Sequence, residues 1–169
     1  IAGERLELSR FLPTPRAAQR AFAGIAAALL LAVGATLFNE TAALRAAGVV
    51  LVVLAAWLAR YDIARRTIRS TGLTRYIAAC LLSGYAWLAV AGAMGAAGAF
   101  ENGHPLRDAA LHALLLGFVF SMVFGHAPII LPAVSTLRFR WHAGFYLPLA
   151  LLHAGIATRI AHADAHADV

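Results

Sequence analysis

The sequence predicts an all-α fold, a polytopic bundle of about five transmembrane helices. Two observations predict this class. Of the 169 residues, 62% are hydrophobic and only 13% are charged, which is outside the usual composition of soluble domains. The apolar residues also form five runs, each about long enough to cross a hydrocarbon core of roughly 30 Å. We therefore expect one transmembrane helical domain over residues 1–169.

The five runs give the positions of the expected spans. Residues 1–18, which precede them, mix charged and apolar side chains and contain Pro13 and Pro15. This mixture predicts a short interfacial helix and a turn, because the segment is too polar to cross a membrane. The spans themselves are expected at about residues 21–38, 43–61, 76–100, 108–134 and 143–161.

The basic residues indicate the orientation of the bundle. All fourteen are arginine, and eleven lie in the N-terminal segment, the 60–75 loop and the 135–141 loop. The other three are Arg45, Arg107 and Arg159. The positive-inside rule then predicts a cytoplasmic N-terminus and an outside C-terminus. Because the arginines flank apolar runs, the net charge of +6 indicates topology, and we expect the lipid bilayer rather than nucleic acid as the partner.

The fourth expected span contains two histidines, His112 and His126. They are fourteen residues apart, so in a regular α-helix they lie roughly 21 Å apart along the axis and about 40° apart around it. This spacing predicts that they share one face, near opposite membrane surfaces. Ionisable residues inside spans are costly, and neutral imidazole is a common metal and haem ligand. The alternative is that each histidine only forms a hydrogen bond to a neighbouring helix.

Residues beside the two histidines are consistent with a constructed site. Pro128 is expected to kink the helix near His126, and Gly125 would allow a ring or porphyrin to approach. Asp108 lies one turn before His112, where its carboxylate could orient the imidazole as a second-shell group. Capping of the helix N-terminus explains Asp108 equally well.

Other histidines are additional candidate ligands. His153 lies in the middle of the fifth span and could bind haem or copper with a ligand from another span or chain. His142 at the edge of that span is a weaker candidate. His162 and His166, in the string H-x-D-x-H, are weak candidates for copper or zinc at the outer surface. The single Cys80 excludes a thiolate cluster built from this chain alone.

Three segments resemble the NnrS family of haem- and copper-containing bacterial membrane proteins, which are linked to nitric oxide and nitrogen-oxide metabolism. They are GERLELSR (residues 3–10), RYDIARRT (60–67) and DAALHALLLGFVFSMVFGHAPIILPAV (108–134). The resemblance implies haem and copper in a bacterial inner membrane, with His112 and His126 as ligands. The spacing of the two histidines also resembles that in transmembrane b-type cytochromes, which indicates b-type haem. Proteins of that family are longer, so this chain resembles their C-terminal part, and further spans could supply the remaining ligands.

The sequence therefore leads to one main expectation and two alternatives. We expect a haem- and copper-binding membrane protein that works in redox or nitric oxide chemistry, whether or not it is an enzyme. The first alternative is a non-catalytic subunit of a larger respiratory or photosynthetic complex, which the many small residues of the third span would favour. The second is a proton or solute pathway through the intramembrane histidines.

Overall fold

The computed structural model describes residues 15–135 and 140–167, with side chains up to residue 163. All regular structure in these ranges is helical. Five of the helices are long and apolar enough to cross a membrane, as the sequence predicts. The expected interfacial helix in residues 1–18 lies outside the described residues, except for its last few positions.

The helices follow one another with short connections. We number the α-helices in chain order and count the five long apolar ones as spans one to five. Span one is α1 (Arg16–Ala35), span two is α2 (Glu40–Tyr61), α3 (Ala64–Thr67) is a single turn, and span three is α4 (Gly72–Ala96). Span four joins α5 (Arg107–His112), a π-helical segment (Ala113–Phe120) and α6 (Ser121–Val134), and span five joins a 3-10 turn (Ala143–Phe145) to α7 (Tyr146–Ala167).

Span three is the centre of the bundle. It packs against spans two and four, and it contains more buried residues than any other described span. The approach to span two is close because glycines meet there: a Cβ at Gly92 would lie 2.9 Å from the carbonyl oxygen of Gly48. Small residues at a crossing allow such close backbone packing. The glycines of span three thus serve contacts within this chain.

Span four has an unusual winding. From Ala113 onward its buried residues recur every four positions, and we call the row that they form the seam: Ala113, Gly117, Ser121 and Gly125. In a regular α-helix a spacing of four drifts by about 40° per turn. The π-helical segment has hydrogen bonds that reach one residue further and therefore winds more loosely. This looser winding keeps the seam facing span three.

One local expectation for span four differs from the structure. The helix begins after Leu106, whose side chain forms no cap, so Asp108 lies in the first turn and does not cap the helix. The helix also continues through Pro128 and ends only at Val134. The expected kink at Pro128 stays a prediction, and the described change in winding lies before His126, in the π-helical segment.

Candidate histidine site in span four

The two histidines of span four lie on opposite flanks of the seam. His112 precedes Ala113 by one residue, whereas His126 follows Gly125 by one residue. One residue corresponds to about 100° of rotation, so the two side chains leave the helix on different sides. The expectation that they share one face is wrong, because it assumed regular α-helical winding over all fourteen residues.

Contacts of neighbouring residues identify each flank. On the flank of His112, Phe124 packs against the cluster that Tyr76 and Cys80 of span three form with Leu149 of span five, and Asp108 one turn before His112 is bound by Arg159 of span five. On the flank of His126, Leu114 packs against a cluster of spans two and three, and Met122 packs against a cluster that joins span three to Ala64 of α3. His112 therefore belongs to the side of span five, and His126 belongs to the side of span two and α3.

His112 is half-buried and is held by Asp108. Its Nδ1 lies 2.7 Å from the backbone oxygen of Asp108 and 3.3 Å from the carboxylate oxygen Oδ1. The other carboxylate oxygen accepts a hydrogen bond from Arg159 Nε of span five at 2.9 Å. The residue expected to orient His112 does so mainly through its main chain, while its side chain connects spans four and five.

His126 has the same local arrangement, one turn after Met122. Its Nδ1 lies 2.7 Å from the backbone oxygen of Met122. Gly125, expected to leave room for a porphyrin, instead faces span three: a Cβ there would lie 3.1 Å from the Cβ of Cys80. Gly125 therefore allows close helix packing. Space for a porphyrin beside His126 would have to come from other residues.

The two hydrogen bonds determine where each imidazole carries its hydrogen. A backbone carbonyl can only accept, so Nδ1 must be the donor, and in the neutral ring Nε2 then carries the lone pair. Histidines that bind metals usually donate their other ring N–H in this way, often to a backbone carbonyl. Both imidazoles are therefore in the tautomer that a metal or haem iron requires at Nε2.

His153 has the opposite tautomer. The indole Nε1 of Trp87 lies 2.8 Å from His153 Nδ1, and an indole N–H can only donate. The neutral imidazole of His153 therefore carries its hydrogen on Nε2, an atom that is buried and has no hydrogen-bond partner among the described residues. For His153 to act as a ligand, as the sequence suggests, it would first have to lose the bond to Trp87.

The remaining candidate histidines lie at the ends of span five. His142 Nδ1 accepts a hydrogen bond from the backbone N–H of Gly144 at 3.0 Å and so caps the 3-10 turn. His162 is exposed. The side chain of His166 lies outside the described residues. The structure thus gives His142 a structural role at the start of span five.

Sequence reasoning missed three residues that shape this region. Trp87 fixes His153, Arg159 binds Asp108, and Ser121 has a buried hydroxyl without a partner among the described residues. Of the three, only Ser121 could have been identified from the sequence, because it belongs to a row of small residues spaced by four, with Ala113, Gly117 and Gly125. The contacts of Trp87 and Arg159 depend on the packing of separate spans.

The described histidines offer single donor atoms. Among the described side chains, no three His, Cys, Asp or Glu residues converge as a metal-ion site would require. Haem needs only one or two axial ligands from the protein, because the porphyrin occupies the other positions. Single histidines with a lone pair on Nε2 meet that requirement, whereas a copper site would need further imidazole or sulfur donors.

The fold and these side chains define an all-helical protein whose five apolar helices are consistent with a multi-pass membrane protein. Residues 1–169 match the family described as a domain of unknown function, DUF8744, and the chain belongs to that family. No curated protein and no solved structure gives a significant match.

Proposed function

We propose that this protein binds b-type haem in the bacterial inner membrane and takes part in redox or nitrogen-oxide metabolism. The observation that carries the proposal is the hydrogen bond from Nδ1 to the carbonyl one turn earlier, 2.7 Å long at both His112 and His126. It leaves Nε2 as the ligand atom in both rings. The resemblance of residues 108–134 to the NnrS family adds the link to nitric oxide.

The two histidines would serve two separate sites. They lie fourteen residues apart in one helix and on opposite flanks, so they cannot coordinate the same iron. His112 would bind haem on the side of span five, and His126 on the side of span two and α3. A second axial ligand at either site would come from another chain or from spans beyond this sequence.

The described residues have a defined part in such chemistry. Haem supplies one-electron redox chemistry when bound. The carbonyl groups of Asp108 and Met122 fix the ring orientation and tautomer of the two ligands, and they increase the basicity of Nε2. The ion pair between Asp108 and Arg159 holds the first turn of span four against span five. Copper remains part of the proposal only with donors in addition to these histidines.

The absorption spectrum of the purified protein tests this function. Expressed with a supply of haem, the protein should show a Soret band. His112→Ala and His126→Ala should each remove about half of the bound haem, since each removes the axial ligand of one site. His104→Ala, a histidine in the loop before span four, is the matched control and should leave the spectrum unchanged. Absence of a Soret band, together with absence of metal by elemental analysis, would contradict the proposal.

A second candidate function is a non-catalytic subunit of a larger membrane complex. The glycines of span three do not support it, because they pack within this chain. Three other glycines do: a Cβ at Gly24, Gly34 or Gly155 would meet no described atom within 4 Å. Such positions allow another helix to approach closely. Isolation of a stable monomer with its own cofactor, shown by native mass spectrometry in mild detergent, would argue against this function.

A further inference from the structure

A groove at the arginine-rich end of the bundle has three arginines on its wall. It has a volume of about 600 Å³ and lies between the end of span two, α3 and span three. Arg60 comes from the last turn of span two, while Arg65 and Arg69 come from α3 and the turn after it. The rest of the lining is apolar: Ala56, Ala59, Ile68 and Leu82.

The positive charges of this groove have no acidic partner among the described residues. Asp62 is the nearest carboxylate in sequence, but it accepts hydrogen bonds from Tyr85 Oη at 2.9 Å and from the backbone N–H of Ala64 at 2.8 Å. No described carboxylate forms an ion pair with Arg60, Arg65 or Arg69. The three arginines that line the groove therefore have no neutralising partner in the described part of the chain, and the guanidinium of Arg60 lies over the ring of Tyr61, 5.5 Å from its centroid.

The opposite end of the bundle is arranged differently. There, Arg45 Nε lies 2.6 Å from Glu101 Oε1, and Arg159 Nε lies 2.9 Å from Asp108 Oδ2. Two of the three arginines at that end are thus paired within the chain. The contrast indicates that the charge of the groove is complementary to something outside the chain. Arg65 and Arg69, one helical turn apart, also repel each other until an anion lies between them.

We propose that this groove binds an anionic glycerophospholipid. Its phosphate would lie between Arg60, Arg65 and Arg69, and an acyl chain would follow the apolar wall formed by Ala56 and Leu82. Guanidinium groups suit phosphate because their planar N–H groups donate to two oxygens at once. The apolar wall favours a lipid over a soluble anion, and basic pockets beside spanning helices are known to hold anionic headgroups. The volume is also within the usual range of about 300–1,000 Å³ for ligand sites.

Native mass spectrometry of the protein in a nonionic detergent tests this site. Phosphatidylglycerol should remain bound at one molecule per chain, whereas phosphatidylcholine should be lost at the same activation energy. Arg65→Gln with Arg69→Gln should weaken phosphatidylglycerol binding roughly thirty-fold, because each basic residue near the headgroup contributes about a factor of five. The control, Arg16→Gln with Arg20→Gln, removes the same charge at the same end but outside the groove, and should bind as the unchanged protein does.

Three results would overturn the proposal. Equal retention of the two lipids would show that the groove does not select charge. Equal losses in the two double variants would assign binding to the overall charge of this end. Displacement of the lipid by millimolar inorganic phosphate would make the site one for a soluble anion. Circular dichroism of both double variants at matched concentration checks that helix content is retained, so a loss of binding can be assigned to the groove.

Discussion

At the level of single residues, one hydrogen bond distinguishes the three histidines inside the spans. His112 and His126 donate through Nδ1 to carbonyl oxygens, whereas His153 accepts through Nδ1 from the indole of Trp87. In the sequence, all three are histidines within similar apolar runs. The tautomer is decided by the partner, and a partner from another span, such as Trp87, follows only from packing.

Trp87→Phe should destabilise the protein through His153. The substitution keeps an aromatic ring but removes the N–H, which leaves the lone pair of His153 Nδ1 unsatisfied inside the bundle. We expect a loss of about 0.6–1.7 kcal/mol in the free energy of unfolding, measured by denaturant titration in detergent. The double variant Trp87→Phe with His153→Phe should recover much of this loss, since both polar partners are then absent. If the loss in the double variant equals the sum of the losses in Trp87→Phe alone and His153→Phe alone, the two side chains are not coupled.

At the level of elements, the sequence predicted which segments form the five long apolar helices but not how span four winds. Five apolar runs are sufficient to locate five long helices, because length and hydropathy do not depend on the rotation of the helix. The faces of the histidines depend on rotation, and one π-helical segment changes it. The row Ala113, Gly117, Ser121 and Gly125 was visible in the sequence as small residues four apart. Its meaning became clear only beside span three, where Gly84 and Trp87 contact it.

Deletion of Val119 should be tolerated. This residue is 41% exposed and lies in the π-helical segment. The first and last residues of the seam, Ala113 and Gly125, are separated by twelve residue steps in three turns. Removal of one residue leaves eleven steps, or about 3.7 residues per turn, which suits a regular α-helix. Both ends of the seam can therefore stay against span three. We expect a monodisperse protein with a melting temperature within a few degrees of the unchanged chain, by size-exclusion chromatography and thermal unfolding in detergent.

Val53 offers the matched control. It is 48% exposed and lies in the regular α-helix of span two, between Gly48 and Ala55, which are both buried. Its deletion turns one part of the span about 100° relative to the other, so the two buried residues can no longer face span three together. The Val53 deletion should aggregate or fail to fold. Equal tolerance of the two deletions would show that the winding of span four has no role in its packing.

At the level of the whole molecule, the two ends of the bundle differ in how their charges are satisfied. At the end with few arginines, loops are joined by pairs within the chain, such as Arg45 with Glu101 and Asn102 with Glu40. Exposed pairs of this kind each contribute only about 0–1 kcal/mol, so they position loops more than they stabilise the bundle. At the other end the described arginines lack such partners. This asymmetry is what a membrane with an anionic cytoplasmic surface would favour.

The orientation that follows from this asymmetry is testable with two cysteines. In a Cys80→Ala background, Asn102→Cys lies at the end with few arginines, and Ser70→Cys lies in the arginine-rich loop; both positions are exposed. A membrane-impermeant maleimide should label Asn102→Cys in intact spheroplasts and label Ser70→Cys only after permeabilisation. The reason is that arginines near the ends of spans resist translocation, so the loop that holds Ser70 stays in the cytoplasm. The reverse pattern, or labelling of both sites in intact spheroplasts, would contradict this orientation and would also place the proposed lipid groove at the wrong surface.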